Sequence, residues 1–320
     1  MRTVGRVVCM RGIIAAAVLG LWGALGAPAG GQQPIRVDVN LVNVGFTARD
    51  SRGALVNHLT KDDVALFEDD VPQKIEFFAK SADVPLTLAL IVDVSGSQDH
   101  FGKQHEKDLE VFLKDVLGPK DRVFLVCFGN HIRLVTDYTN SAGEIIENYK
   151  LFDKGKKHFS ELGTDDTRED GTAFYDSIFY SVTEKLAEAG GRQAILMFSD
   201  GEDNSSSHNM MQAVETVQAG NVVFYAIRYT DEKHGRLNSR NKYGIGVMDR
   251  IAKETGGMHI DARETDPHEY FQQIAEELRT SYEVGYYPSS KNKDVGFRKI
   301  TVKAKEDGVK VRTKTGYFVN

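Results

Sequence analysis

Cysteine is almost missing from this chain: 320 residues contain two. Cys9 lies among the first thirty residues and Cys127 in an apolar, strand-like run, so once the amino-terminal segment is removed no internal disulfide can form. Long apolar runs are scarce too. One extends from Ile13 to Leu25, preceded by Arg2, Arg6 and Arg11 and followed by Ala27-Pro28-Ala29. It is shorter than the ~20 residues a spanning helix needs, and its flanks predict a secretory signal peptide over residues 1–29. No other stretch is apolar enough to span. The expectation is an exported protein, periplasmic or extracellular, with no membrane span after cleavage.

A basic surplus is also lacking. The formal charge is −6, and removing the signal, with its three arginines and no acid, takes it to −9. Bulk electrostatics therefore argue against nucleic acid or an anionic membrane surface as partner. Common enzyme motifs are missing as well: there is no Gly-x-x-x-x-Gly-Lys-Ser/Thr loop, no His-Glu-x-x-His and no Gly-x-Ser-x-Gly. His158, His208 and His259 show no zinc-ligand spacing. No catalytic residue is assigned, and a non-enzyme is expected.

What the chain does have is an ordinary globular composition, 41% apolar and 27% charged, which is enough to bury a sizeable core. Residues 30–84 alternate. Ile35, Val37, Val39 and Leu41 are apolar with polar residues between them, and the phase then flips to Val42, Val44 and Phe46. Val64 to Phe67 and Lys74 to Phe78, around the Asp69-Asp70 turn, predict a hairpin. From Pro85 the pattern changes to continuous apolar strands separated by helical periodicity. Strands are expected at 88–92, 123–128, 132–136, 194–198, 222–227 and 258–260, and helices at 104–117, 144–151, 174–188, 209–219, 247–254 and 267–280. Residues 154–171 and 230–243 are polar and read as loops. After Ser281 the alternation returns, with Phe297 to Ala304 and Val309 to Thr313 flanking a hairpin signal at Glu306-Asp307-Gly308.

The fold class expected is α/β: a doubly wound, mainly parallel sheet over residues 85–281. It is inserted into a small antiparallel β-domain built from both ends, 30–84 and 282–320. Neither terminal piece has enough strands for a core of its own.

Two apolar strands stop abruptly in oxygen-bearing side chains. The run from Leu88 ends in Asp93-Val-Ser95-Gly-Ser97, and the run from Ala194 ends in Ser199-Asp200-Gly201. Open α/β sheets place their sites at that edge. Thr172, at the end of an acidic stretch containing Asp165, Asp166, Glu169 and Asp170, supplies a third hydroxyl. Each residue has a plain alternative: Ser97 and Thr172 as helix N-caps, Asp93 and Asp200 as caps of their own turns. The acidic stretch reads as a solvated rim, with Glu202 and Asp203 tuning it. Hard oxygens together suit Mg²⁺, Mn²⁺ or Ca²⁺.

Asp93-x-Ser95-x-Ser97, Thr172 and Asp200, the last within Phe-Ser-Asp-Gly-Glu-Asp, resemble in all five positions the metal-ion-dependent adhesion site (MIDAS) of the von Willebrand factor A (VWA) domain. Nearly the whole mature chain is similar to secreted bacterial VWFA-related proteins of the acidobacterial type. The likeness runs through Phe67-Glu68-Asp69, Val71-Pro72-Gln73, Tyr282-Glu-Val-Gly-Tyr-Tyr-Pro288 and Thr315-Gly-Tyr-Phe318. The resemblance implies that the five residues hold a divalent ion, Mg²⁺ first, and that a partner protein's Asp or Glu completes its shell. An adhesion or interaction module follows, with a structural scaffold as alternative and a metal-dependent hydrolase behind it. It further implies that the last helix, 267–280, responds to occupancy of the site.

Overall fold

The computed structural model describes residues 41–81, 84–164, 170–231, 236–264, 266–290 and 295–319. The expected strand at 35–41 lies almost wholly outside them, as does most of the acidic stretch at 165–170.

The chain begins with β1 (Val42–Arg49), β2 (Val64–Glu68), β3 (Val71–Gln73) and β4 (Ile75–Lys80). The α/β region follows: β5 (Leu86–Asp93), α1 (Gly102–Val116), β6 (Arg122–Phe128), β7 (Ile132–Thr139), α2 (Ala142–Asp153) and β8 (Ser160–Glu161). It continues through α3 (Phe174–Tyr180), β9 (Arg192–Ser199), α4 (Met210–Ala219), β10 (Val223–Arg228), α5 (Ser239–Thr255), β11 (His259–Asp261) and α6 (Pro267–Thr280). The chain closes with β12 (Tyr282–Tyr286), β13 (Gly296–Ala304), β14 (Lys310–Thr313) and β15 (Gly316–Val319). Among the described residues no helix is long and apolar enough to cross a membrane.

The central sheet has the order β11-β10-β9-β5-β6-β7-β8. From β11 to β6 all neighbours are parallel, while β7 is antiparallel to β6 and β8 to β7. All eight residues of β5 are buried, which is why this strand reads as an unbroken apolar run. Its pleat divides the core. Leu86, Leu88, Leu90 and Val92 pack with α1, α2 and α6, and Ala89 and Ile91 with α3, α4 and α5. Each such aliphatic side chain contributes about 1.5–3 kcal/mol. The doubly wound, mainly parallel sheet is therefore as expected. The chain moves outward from β5 to β8, then returns to β9 on the other flank of β5. The switch point is thus the β5–β9 boundary.

Two antiparallel sheets of four strands each, ordered β14-β1-β12-β4 and β15-β13-β2-β3, combine strands from before β5 and after α6. They share one core, with Val44, Phe46, Val64, Leu66, Tyr282, Val284, Ile300 and Val302. Phe46 stacks on Tyr282 at 5.0 Å between ring centroids.

Strand partners differ from the sequence expectation in two places. The Asp69-Asp70 turn joins β2 to β3, not to β4, and β4 crosses to the other sheet, where it pairs with β12. Likewise Glu306–Gly308 connects β13, paired with β2 and β15, to β14, paired with β1. Alternation reveals which side chains face inward but not which sheet receives the strand. A third difference is α5, which starts at Ser239 rather than near Val247. Its N-cap Asn238 accepts a hydrogen bond from Asn241 N at 2.7 Å.

Candidate metal centre

Parallel pairing aligns β5 and β9 so that Val92 faces Phe198, which brings Asp93 and Ser199 side by side at the strand ends. Ser199 Oγ donates to Asp93 Oδ2 at 2.6 Å, and Ser95 N donates to Asp93 Oδ1 at 2.9 Å. Ser95 Oγ and Ser97 Oγ lie 3.2 Å apart, and Ser97 Oγ donates to Asp200 Oδ2 at 2.7 Å. Asp200 Oδ1 accepts from Glu202 N at 3.0 Å. Asp93, Ser95, Ser97 and Asp200 thus form one hydrogen-bonded set across the switch point, all at most 8% exposed apart from the exposed Ser97.

The alternatives raised by the sequence divide. Each aspartate does cap its own turn, with one oxygen, and turns the other to the shared cluster. Neither hydroxyl caps a helix. The residue before α1 is Phe101 and the residue before α3 is Ala173, and neither of them caps its helix with a side chain.

Thr172 is positioned differently from the other four. Its N–H donates to Asn204 Oδ1 at 2.6 Å, and its carbonyl accepts from Asn204 N and Ser205 N at 3.1 and 3.2 Å. This clamps Thr172 to the loop that follows Asp200. Ala173 N donates to Gly129 O, and Gly129 packs against the Ser95 backbone. Among the described residues, however, no hydrogen bond joins the Thr172 side chain to the other four.

Burial pushes the Asp93 carboxyl up to about 7, with the nearby Asp200 charge adding to it and the Ser199 and Ser95 hydrogen bonds opposing. Glu202 is raised by burial and then by Asp200. A cation at the cluster would relieve both effects. The donor set fits a hard divalent ion: two carboxylates and up to three hydroxyls, with no sulfur or imidazole. Among the described residues no group of three or more His, Cys, Asp or Glu is placed to hold a metal, so this oxygen cluster stands apart from a carboxylate-rich or imidazole site.

Several residues that shape the site escaped the sequence reading. Gln98, 2% exposed, donates from Nε2 to Asp200 Oδ2 at 3.0 Å and to Tyr229 O at 3.1 Å. Ser199 fixes Asp93, and its place as the last residue of an otherwise apolar strand was the available signal. Asp203 is not a free rim residue: it accepts from Tyr175 N at 3.3 Å and from Ser206 Oγ, tying the loop to the start of α3. His208 stacks on Phe179 at 3.6 Å and meets Asp176 Oδ1 at 2.7 Å, while His158 is exposed.

No protein-family model matches the chain, and no curated protein does. Among solved structures it is similar to an aerotolerance-related membrane protein from Bacteroides fragilis, with 15% identity over 60% of this chain and 98% of that one, at a TM-score of 0.44. BatB from Bacteroides thetaiotaomicron gives 13% identity over 60% and 97%, at 0.45. Proximal thread matrix protein 1 from the mussel byssus, in a structure with a zinc-occupied MIDAS motif, gives 13% over 66% and 49%, at 0.44. Scores and identities this low make none of the three a demonstrated relative.

Proposed function

We propose that this chain is an exported VWA-type interaction module. In this reading it holds a divalent cation, Mg²⁺ or else Mn²⁺ or Ca²⁺, and through it a carboxylate of a partner protein. The observation that supports it best is the Ser97–Asp200 hydrogen bond across the β5–β9 switch point. Residues 103 positions apart in sequence, singled out by their oxygen chemistry, meet where open α/β sheets bind ligands. Asp93, Ser95, Ser97 and Asp200 would hold the ion, with Thr172 as the fifth ligand that the resemblance implies. Neutral hydroxyls leave such an ion under-compensated, and a hard ion keeps exchangeable water, so an incoming Asp or Glu gains a charge-assisted contact. The site then acts as a receptor rather than a catalyst.

Titration calorimetry of Mg²⁺ and Mn²⁺ tests the metal reading, with Asp93→Ala and Asp200→Ala as variants. Saturable binding in the parent chain and its loss in both variants is expected; equal heats in all three would overturn it. Capture of envelope proteins by crosslinking, with and without chelator, tests the partner reading. Capture that is indifferent to chelator would assign the chain to the scaffold alternative.

A further inference from the structure

The β9 strand carries the Asp93 partner Ser199 at one end and Arg192 at the other, about 23 Å away for seven residue steps. At the Arg192 end the parallel sheet meets β1 and β12 of the sandwich, and the seam encloses a cavity of about 220 Å³. Arg192, Glu283, Asn221, Asn43, Ser281 and Phe46 are on its walls. Two charged groups there lack ionic partners. Arg192 donates from Nη1 to Ser281 Oγ at 3.1 Å, but its buried Nε has no protein acceptor. Among the described residues no carboxylate lies within 4.0 Å of it. Glu283 has one side-chain hydrogen bond, a long one of 3.5 Å from Asn221 Nδ2, and no cation within the same limit among the described residues.

Both side chains are partly exposed, and charges withdrawn even in part from water are ordinarily paired, because desolvation carries a cost. Here a guanidinium and a carboxylate line one cavity without meeting. Lys314, 6% exposed and outside the cavity lining, donates from its ammonium to Gln218 O at 2.9 Å. Arg192 and Glu283 present one charge of each sign to the cavity, which suits a guest with a carboxylate at one end and a hydrogen-bond donor at the other.

We propose that this cavity binds a small carboxylic acid bearing an ammonium or hydroxyl group on the adjacent carbon, with its carboxylate on Arg192 and its donor on Glu283. A cavity of about 220 Å³ admits a molecule the size of alanine or lactate. The site is separate from the metal centre and does not depend on an ion there. Because its walls come from β1 and β12 on one side and β9 on the other, a guest would fasten the sandwich to the parallel sheet.

Calorimetry and thermal unfolding of the full chain with alanine, lactate and propionate, in the presence of chelator, test the proposal. Alanine or lactate should bind and raise Tm, and propionate, which lacks the second donor, should bind about tenfold more weakly. Arg192→Met should abolish binding of all three. Glu283→Gln should bring alanine and lactate down to the level of propionate. Preference for alanine over lactate identifies an amino acid as guest, and the reverse a hydroxy acid. Absence of heat and of a Tm shift with all three compounds at millimolar concentration would overturn the proposal, as would unchanged affinity in Arg192→Met. Should Arg192→Met fail to fold, Arg192→Lys and Glu283→Gln decide: unaltered affinity in both is equally fatal.

Discussion

Gly244 of α5 lies so close to Asp200 that a Cβ on Gly244 would overlap the Asp200 carbonyl oxygen. The approach is mutual. Gly201 has φ +77°, and a Cβ there would lie 2.5 Å from the Gly244 carbonyl oxygen. The loop bearing Asp200 is thus pressed onto α5 with no room for a side chain on either partner. Gly244→Ala should push that loop away, at a cost of about 1–3 kcal/mol from overpacking. Divalent-ion affinity should fall with it, because Asp200 loses its alignment with Ser97. Urea unfolding and ion titration check the two effects together. Wild-type ion affinity in Gly244→Ala would mean that α5 does not position Asp200.

Asp93→Asn separates stability from ion binding. The Asp93 carboxyl titrates near 7 in the metal-free fold, well above the ordinary 3.8, because burial and Asp200 disfavour its charge. A raised acid pKa means that the fold holds more protons than the unfolded chain between these values. The Asp93 contribution to metal-free stability therefore falls as pH rises from about 4 to about 7, by roughly 4 kcal/mol at most. The neutral amide escapes that loss. At pH 8 with chelator, Asp93→Asn should melt at or above the wild-type temperature, yet show no rise in Tm with Mg²⁺ or Mn²⁺. A variant that melts lower, with or without ion, would make Asp93 a structural residue.

What the sequence made legible, and what it hid, follows from the physics of each element. The β5 and β9 ends were readable because a buried strand is apolar until its last residue, so a carboxylate there marks the sheet edge. The start of α5 was hidden because Ser239–Gly246 contains two glycines and faces solvent along much of its length, leaving little periodicity. Gly244 gave no signal either. A glycine inside a helix looks like a weak helix former until the neighbour it accommodates is known. Gln98 was equally silent, since its role depends on Tyr229 and Asp200, both more than a hundred residues away.

His105 gives a pH dependence of opposite sign to that of Asp93. It lies fully buried on α1, against Tyr229 at 4.4 Å and Phe198 at 6.0 Å between ring centroids, and neither ring nitrogen has a protein hydrogen-bond partner. Burial, with a smaller contribution from His100, pushes it down to about 3 from 6.5. Between these values the unfolded chain takes up a proton that the fold refuses, so stability falls as pH drops from about 6.5 toward 3, by roughly 5 kcal/mol at most. His105→Leu removes two unsatisfied nitrogens at similar volume. It should leave stability at pH 7.5 unchanged or higher and, in an Asp93→Asn background that removes the opposing Asp93 effect, flatten the decline measured by urea unfolding at pH 4–6.5. An undiminished slope would place the acid sensitivity on other groups.

Glu277, fully buried on α6, accepts from Arg49 Nη2 of β1 at 2.5 Å, from Arg312 of β14, and from the Tyr225 hydroxyl at 3.3 Å. One carboxylate therefore ties the last helix of the α/β region to two sandwich strands. Breaking a buried pair costs about 3–5 kcal/mol, but both arginines are partly exposed and keep some hydration. Glu277→Gln should therefore cost about 2–3 kcal/mol. Hydrogen exchange shows whether the tie governs α6 itself. Residues 274–280 should exchange faster in Glu277→Gln, while α1, which packs on α6 through Phe112 and Phe271, should change little. If the site at Asp93 acts on α6, Mg²⁺ should slow exchange of residues 274–280 in the wild type, and the slowing should be smaller in the variant. Metal-dependent exchange that is the same in both proteins would show that any movement of α6 proceeds without the Glu277 anchor.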